Sequence, residues 1–323
     1  MLKKLSVAAV AATVMLGSLP AFAEPLKVVA SFSILGDMVR EIGGDAVSVI
    51  TLVGPDGDAH VYQPTPSDAQ AVAGAEMVIL NGLGFEPWSE RLLSASGTKA
   101  MVVTASQGVT PREMADEDED HDEHGKHDDH AKHDDHAKHE DHHHHGNTDP
   151  HAWQDLKNGQ MYVATIAKAL EAARPAEASA IAARAESYRA RLETLDGWVR
   201  SELASIPAAQ RKLITSHDAF GYFGAAYGVE FLAPMGLSTE AEPTPKDVAR
   251  LVKQMKAEKV RAVFLENMSD PRLVKQLAKD AKGVVGGTLY ADALSAADGP
   301  AATYEAMFRS NVKALKDTLL AKP

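Results

Sequence analysis

At 323 residues with 45% hydrophobic content, the chain exceeds what one core commonly organises, so two domains are expected. Its formal charge of -12 excludes the basic surface that nucleic-acid phosphates require and suits cation binding instead. It contains no cysteine, so no disulfide can form and no cysteine-linked lipid anchor is expected.

In chain order, Lys3 and Lys4, the apolar run 5–16 and Ala21-Phe22-Ala23 have the three-part form of a secretory signal. Residues 1–23 are therefore expected to be removed, releasing a free periplasmic protein that begins near Glu24. The run is too short to span a bilayer, and no later stretch approaches the roughly 20 apolar residues that a membrane helix needs. Residues 27–31 read as a strand running into a helix at Ile34-Leu35-Gly36, and a second strand follows at 47–53. Pro64-Thr65-Pro66-Ser67-Asp68 is a helix start. Thr65 can cap, Pro66 can take the first helical position, and Asp68 lies where the helix dipole favours a negative charge. Strands at 77–80 and 100–104 complete a βα-repeating N-terminal lobe, 24–173.

The composition then changes. Residues 116–145 hold 13 acidic side chains against 3 lysines, a local balance of -10 within the total of -12. The segment repeats the pattern His-Asp-Asp-His-Ala-Lys and carries His121, His124, His127, His130, His133, His136, His139, His142, His143, His144 and His145. With nothing apolar to bury, 116–146 is expected to be a disordered loop able to hold several cations weakly. Its neutral alternative is a solvated acidic linker.

Between Pro175 and Pro207 the apolar positions Ile181, Ala185, Tyr188, Leu192, Leu195, Val199 and Leu203 advance mostly by alternating steps of four and three. That is one buried stripe of a single long helix, 174–205, about 40 Å at 1.5 Å per residue. The C-terminal lobe, 206–323, echoes the first. Lys212-Leu213-Ile214-Thr215-Ser216 parallels Lys27-Val28-Val29-Ala30-Ser31, and Pro243-Thr244-Pro245-Lys246-Asp247 parallels the earlier helix start. Strands follow at 262–265 and 284–290. The expected fold is α/β: two lobes of parallel sheet flanked by helices, joined by a long backbone helix, with a cleft between them.

Eleven of the fourteen histidines lie in the acidic segment, leaving His60, His151 and His217 for the folded body. His60 follows the strand 47–53, His217 follows the strand 212–216, and His151 precedes a helix beginning near Gln154. Asp292 follows the strand 284–290. Ligands of open α/β sheets bind beyond the carboxyl ends of strands, so these loops can converge on the cleft. Three neutral imidazoles and one carboxylate make a tetrahedral set suited to Zn²⁺, whereas Mn²⁺ prefers more oxygen.

The motifs Asp58-Ala59-His60-Val61-Tyr62-Gln63-Pro64-Thr65-Pro66-Ser67-Asp68, Asp149-Pro150-His151-Ala152-Trp153, Ser216-His217-Asp218-Ala219-Phe220 and Tyr290-Ala291-Asp292-Ala293-Leu294-Ser295 resemble those of the zinc and manganese solute-binding proteins of ABC importers. The resemblance spans essentially the whole chain after residue 23. It implies that His60, His151, His217 and Asp292 ligate one transported metal ion, and that His217, in place of Glu, puts the chain among the zinc receptors. It also implies a membrane permease with its cytoplasmic ATPase as partners. A periplasmic metallochaperone and a monomeric state are further expectations. Glu266, at the end of a strand, is expected beside the site rather than in it.

Two other functions compete with a zinc receptor. A zinc hydrolase would keep an open coordination position for water, which Asp292 would close. A storage or buffering protein would rely on the histidine-rich segment itself. A manganese or other divalent-metal receptor is the near alternative. Ser216-His217-Asp218 is excluded as a catalytic triad, because consecutive residues on extended chain point to alternating faces.

Overall fold

The computed structural model describes residues 24–113 and 148–321. The expected signal segment 1–23 and the histidine-rich segment 116–146 lie outside the described residues.

The first lobe is built from β1 (Leu26–Phe32), α1 (Ser33–Gly43), β2 (Val47–Val53), α2 (Pro66–Ala73), β3 (Met77–Leu80), α3 (Ser89–Ser96) and β4 (Met101–Thr104). Its four strands lie in the order β2-β1-β3-β4 and every pairing is parallel. The central strand β1 is an apolar run with Val28, Val29, Ala30 and Phe32 all buried, as a strand covered on both faces must be. The two-residue strands β5 (Arg112–Glu113) and β6 (Thr148–Asp149) pair antiparallel and lead to α4 (Leu156–Ala173).

The second lobe contains β7 (Lys212–Ile214), α6 (Gly221–Tyr227), β8 (Glu230–Leu232), α7 (Pro245–Glu258), β9 (Ala262–Glu266), α8 (Pro271–Ala281), β10 (Val284–Leu289) and α9 (Tyr304–Leu319). Its parallel sheet has the order β8-β7-β9-β10, which repeats that of the first when β7 is matched to β1 and β8 to β2. The internal echo of the sequence therefore has a topological counterpart. In both lobes the Pro-Thr-Pro-x-Asp motif forms a closed capping box. Thr65 Oγ1 accepts from Asp68 N while Asp68 Oδ2 accepts from Thr65 N, and Thr244 and Asp247 do the same.

The linking helix α5 spans Ala178–Ala204, and the seven stripe positions are its buried residues. It begins four residues later than the periodicity predicts. Pro175 holds Arg174 at φ -130° and ψ 68°, outside the helical region, so α4 ends there and a turn intervenes. α5 packs against α4, α1 and α9, with the Arg184 guanidinium donating to the last carbonyls of α1, Ile42 O and Gly43 O, each at 2.7 Å. One apolar core runs from Val28 and Phe32 through Tyr162 and Tyr188 to Phe223 and Phe308, and a smaller one lies under α7 and α8. Among the described residues, no helix is long and apolar enough to cross a membrane.

Candidate metal centre

Both sheets point the carboxyl ends of their strands at the seam between the lobes, and four loops bring one polar side chain each to it. His60 comes from the loop after β2, His151 from the loop after β6, His217 from the end of β7 and Asp292 from the loop after β10. Each carries one candidate ligand atom, and all four atoms lie within 4.8 Å of one another. His60 is 3% exposed and the other three are wholly buried, so the group is cut off from bulk water.

Several of the spacings approach those of a coordination sphere. His60 Nε2 lies 3.3 Å from His151 Nε2 and 3.3 Å from Asp292 Oδ2, His217 Nε2 lies 3.0 Å from Asp292 Oδ2, and His151 Nε2 lies 3.6 Å from Asp292 Oδ1. A tetrahedral zinc ion with bonds of ~2.05 Å separates its ligand atoms by ~3.3 Å. Asp292 Oδ1 is buried and has no hydrogen-bond partner, a lone pair that a cation would satisfy.

Carboxylates fix which imidazole nitrogens face the centre. His151 Nδ1 donates to Asp149 Oδ1 at 2.9 Å, and His217 Nδ1 donates to Glu266 Oε2 at 2.6 Å. Each ring is thereby held in the tautomer that turns an Nε2 lone pair inward, and its basicity rises. Glu266 is itself anchored, since Oε1 accepts from Ser216 N at 2.7 Å and from His217 N at 3.1 Å. Asp149 Oδ2 meets the Arg112 guanidinium at 3.3 Å.

Neighbouring charges set the acid–base character of the metal-free centre. Burial alone would lower the His217 imidazole, but Glu266 and Asp292 on its two nitrogens hold it well above the usual histidine range. Burial alone would raise the Asp292 carboxyl, yet the facing imidazoles of His217 and His151 hold it well below the usual carboxylate range. His60 is pushed down by burial, against the pull of Asp292. The centre is surrounded by aromatic rings: Phe85 packs edge-on to His60 at 4.8 Å between centroids, and Trp153 lies 5.4 Å from His151.

The structure thus brings together all four residues that the sequence singled out from the folded body. The eleven segment histidines lie outside the described residues. Glu266 stands beside the centre, bonded to His217. Sequence reasoning missed Asp149, although a signal was present. Asp-x-His occurs at both Asp58-Ala59-His60 and Asp149-Pro150-His151, and each aspartate accepts from the backbone N–H of its histidine, at 2.9 and 3.0 Å. Ser216 Oγ is buried without a hydrogen-bond partner, so it does not engage His217 as a nucleophile engages its base.

The chain is similar to known metal-binding proteins over most of its length. The chain is 32% identical over 290 residues to the manganese-binding lipoprotein MntA of Halalkalibacterium halodurans, covering 90% of this chain and 87% of that protein. It is 30% identical over 291 residues to the iron-binding protein YfeA of Yersinia pestis, covering 90% and 85%. The solved structure of the periplasmic zinc-binding protein TroA from Treponema pallidum superposes with a TM-score of 0.79 at 27% identity, over 92% of this chain and 99% of that one. The model of the ZnuA family, described as the periplasmic component A of the zinc-uptake complex, matches residues 28–318. The chain belongs to this family of solute-binding proteins of ABC metal importers, which are receptors and not enzymes.

Proposed function

We propose that the chain is a high-affinity periplasmic receptor for Zn²⁺, with His60, His151, His217 and Asp292 as ligands, and that it delivers the ion to the membrane permease of an ABC importer driven by a cytoplasmic ATPase. The observation that carries this reading is the donor set: three imidazole nitrogens and one carboxylate within 4.8 Å of one another, with two of the rings oriented by carboxylates. Four protein ligands fill a tetrahedron and leave no position for a reacting water.

A manganese or iron receptor is the competing reading, favoured by the names of MntA and YfeA. The donor set speaks for zinc. Hard Mn²⁺ is best served by several oxygens, whereas this centre offers one carboxylate, and the nearby Glu266 is occupied by His217 and two backbone N–H groups. The segment histidines, His121 to His145, act in this reading as weak auxiliary sites that concentrate metal beside the cleft. A storage or buffering role would rest on that segment alone. The receptor works as a monomer, and a periplasmic metallochaperone is a further candidate partner.

Native mass spectrometry of the protein taken from its own periplasm reports metal identity and stoichiometry together. One tightly held zinc is expected, and deletion of 116–145 should leave it in place while removing weaker sites. One tightly held manganese or iron would overturn the zinc assignment, and loss of the tight site with the segment would overturn the ligand assignment.

A further inference from the structure

The four donors are buried, so an ion can reach or leave them only if part of the surrounding wall moves. The walls are unequally fastened. Among the described residues, and apart from the ligand contacts, the loop carrying Asp292 is tied to the first lobe by four hydrogen bonds. Leu294 N donates to Ser33 Oγ and Asp56 N to Leu294 O, both at 2.9 Å, while Trp153 Nε1 and Gln154 Nε2 donate to Ala291 O at 3.0 and 2.7 Å.

Residues 235–239, just after β8, are held differently. At one end Met235 forms a parallel bridge with His217, and Gly236 O accepts from Asp218 N at 3.0 Å. At the other end Thr239 Oγ1 donates to Asp58 Oδ2 at 2.7 Å, and Oδ1 of the same carboxylate accepts from His60 N at 2.9 Å. A single strap therefore runs from the backbone of His217 in one lobe to the carboxylate that positions the backbone of His60 in the other. Among the described residues, Thr239 to Asp58 is its one hydrogen bond to the first lobe. The topology gives the contact a symmetric origin. The loops after β2 and β8 occupy equivalent places in the two sheets, each leads into a Thr-Pro-x-Asp capping box, and the two meet here.

We propose that the strap 235–239 is the gate of the metal centre and that the Thr239–Asp58 hydrogen bond is its latch, making Thr239 a positioning residue that sets the rate of metal exchange. This rests on the metal-receptor reading above. The latch joins two groups that do not touch the ion, so it closes the strap over the centre with or without metal. Its loss then speeds uptake and release together and leaves their ratio nearly unchanged. A hydrogen bond to a charged, half-buried acceptor slows opening by about tenfold.

The test uses the full chain, with zinc uptake and zinc release to excess chelator followed by stopped flow, and equilibrium affinity by chelator competition. Thr239→Val removes the hydroxyl at constant shape, Thr239→Ala repeats the loss in case the valine variant folds poorly, and Thr239→Ser restores the donor. Both rates should rise about tenfold in the first two variants with Kd within about threefold of wild type, and Thr239→Ser should exchange as slowly as wild type. Unchanged rates in Thr239→Val and Thr239→Ala, or equally raised rates in Thr239→Ser, overturn the latch while tight wild-type binding keeps the receptor. A wild-type chain that binds no metal overturns both.

Discussion

Replacing Glu266 by Gln changes one atom and tests how the centre is oriented. Glu266 Oε1 accepts from Ser216 N and His217 N, and Oε2 accepts from His217 Nδ1 at 2.6 Å. A glutamine has one oxygen, which the two backbone donors claim, so its amide NH₂ is left facing Nδ1. The ring then has to accept at Nδ1 and carry its proton on Nε2, where the metal should bind. Turning the amide round instead sets NH₂ against two backbone N–H groups, which leaves buried donors without acceptors at about 1–3 kcal/mol. Loss of such an outer carboxylate commonly weakens metal binding 10- to 100-fold, about 1.4–2.7 kcal/mol. Zinc competition against a chromophoric chelator at pH 7 measures it. Glu86→Gln is the matched control, because Glu86 plays the corresponding part in the first lobe, accepting from Ser31 Oγ at 2.6 Å and Asn81 N at 2.7 Å, but holds no histidine. Affinity of Glu266→Gln within threefold of wild type would refute the tautomer reasoning. An equal loss in both variants would show that buried carboxylates matter here only for folding.

His217→Ala or His60→Ala should weaken zinc binding by orders of magnitude with the fold retained by circular dichroism, while Asp292→Ala weakens it less and accelerates release; unchanged affinity in all three would remove the proposed ligands. Because His217 is held well above its ordinary range in the metal-free protein, its contribution to stability is full below the unfolded value near 6.5 and fades as pH rises through the folded one. Metal-free melting temperature should therefore fall as pH rises above about 6.5, while the gain on adding zinc should grow as the competing proton leaves. Asp37, whose carboxyl accepts from Tyr304 N at the start of α9, is pushed by burial from 3.8 up to about 6. Its stabilisation is present below the unfolded value and lost as pH climbs through about 6, by at most ~3 kcal/mol. Asp37→Asn should flatten that slope in melts between pH 4 and 8.

Sequence by itself determined the elements and the ligand candidates. The four-and-three stripe of α5, the two Pro-Thr-Pro-x-Asp helix starts and the isolation of three histidines from the other eleven are local patterns, and local backbone physics suffices to read them. Tertiary structure alone decided what surrounds those ligands. The resemblance puts Glu266 beside the site without saying which ligand it holds, and Asp58 looks like an ordinary turn acid along the chain. Glu266 becomes a ring-orienting carboxylate when β7 and β9 pair within the second lobe and bring His217 to it, and Asp58 becomes the seat of a latch when the two lobes meet and set Thr239 within hydrogen-bonding reach. Partners of that kind are separated by 49 and 181 residues, and no periodicity along a chain carries information about a contact that exists because distant strands pair or because two sheets share one seam.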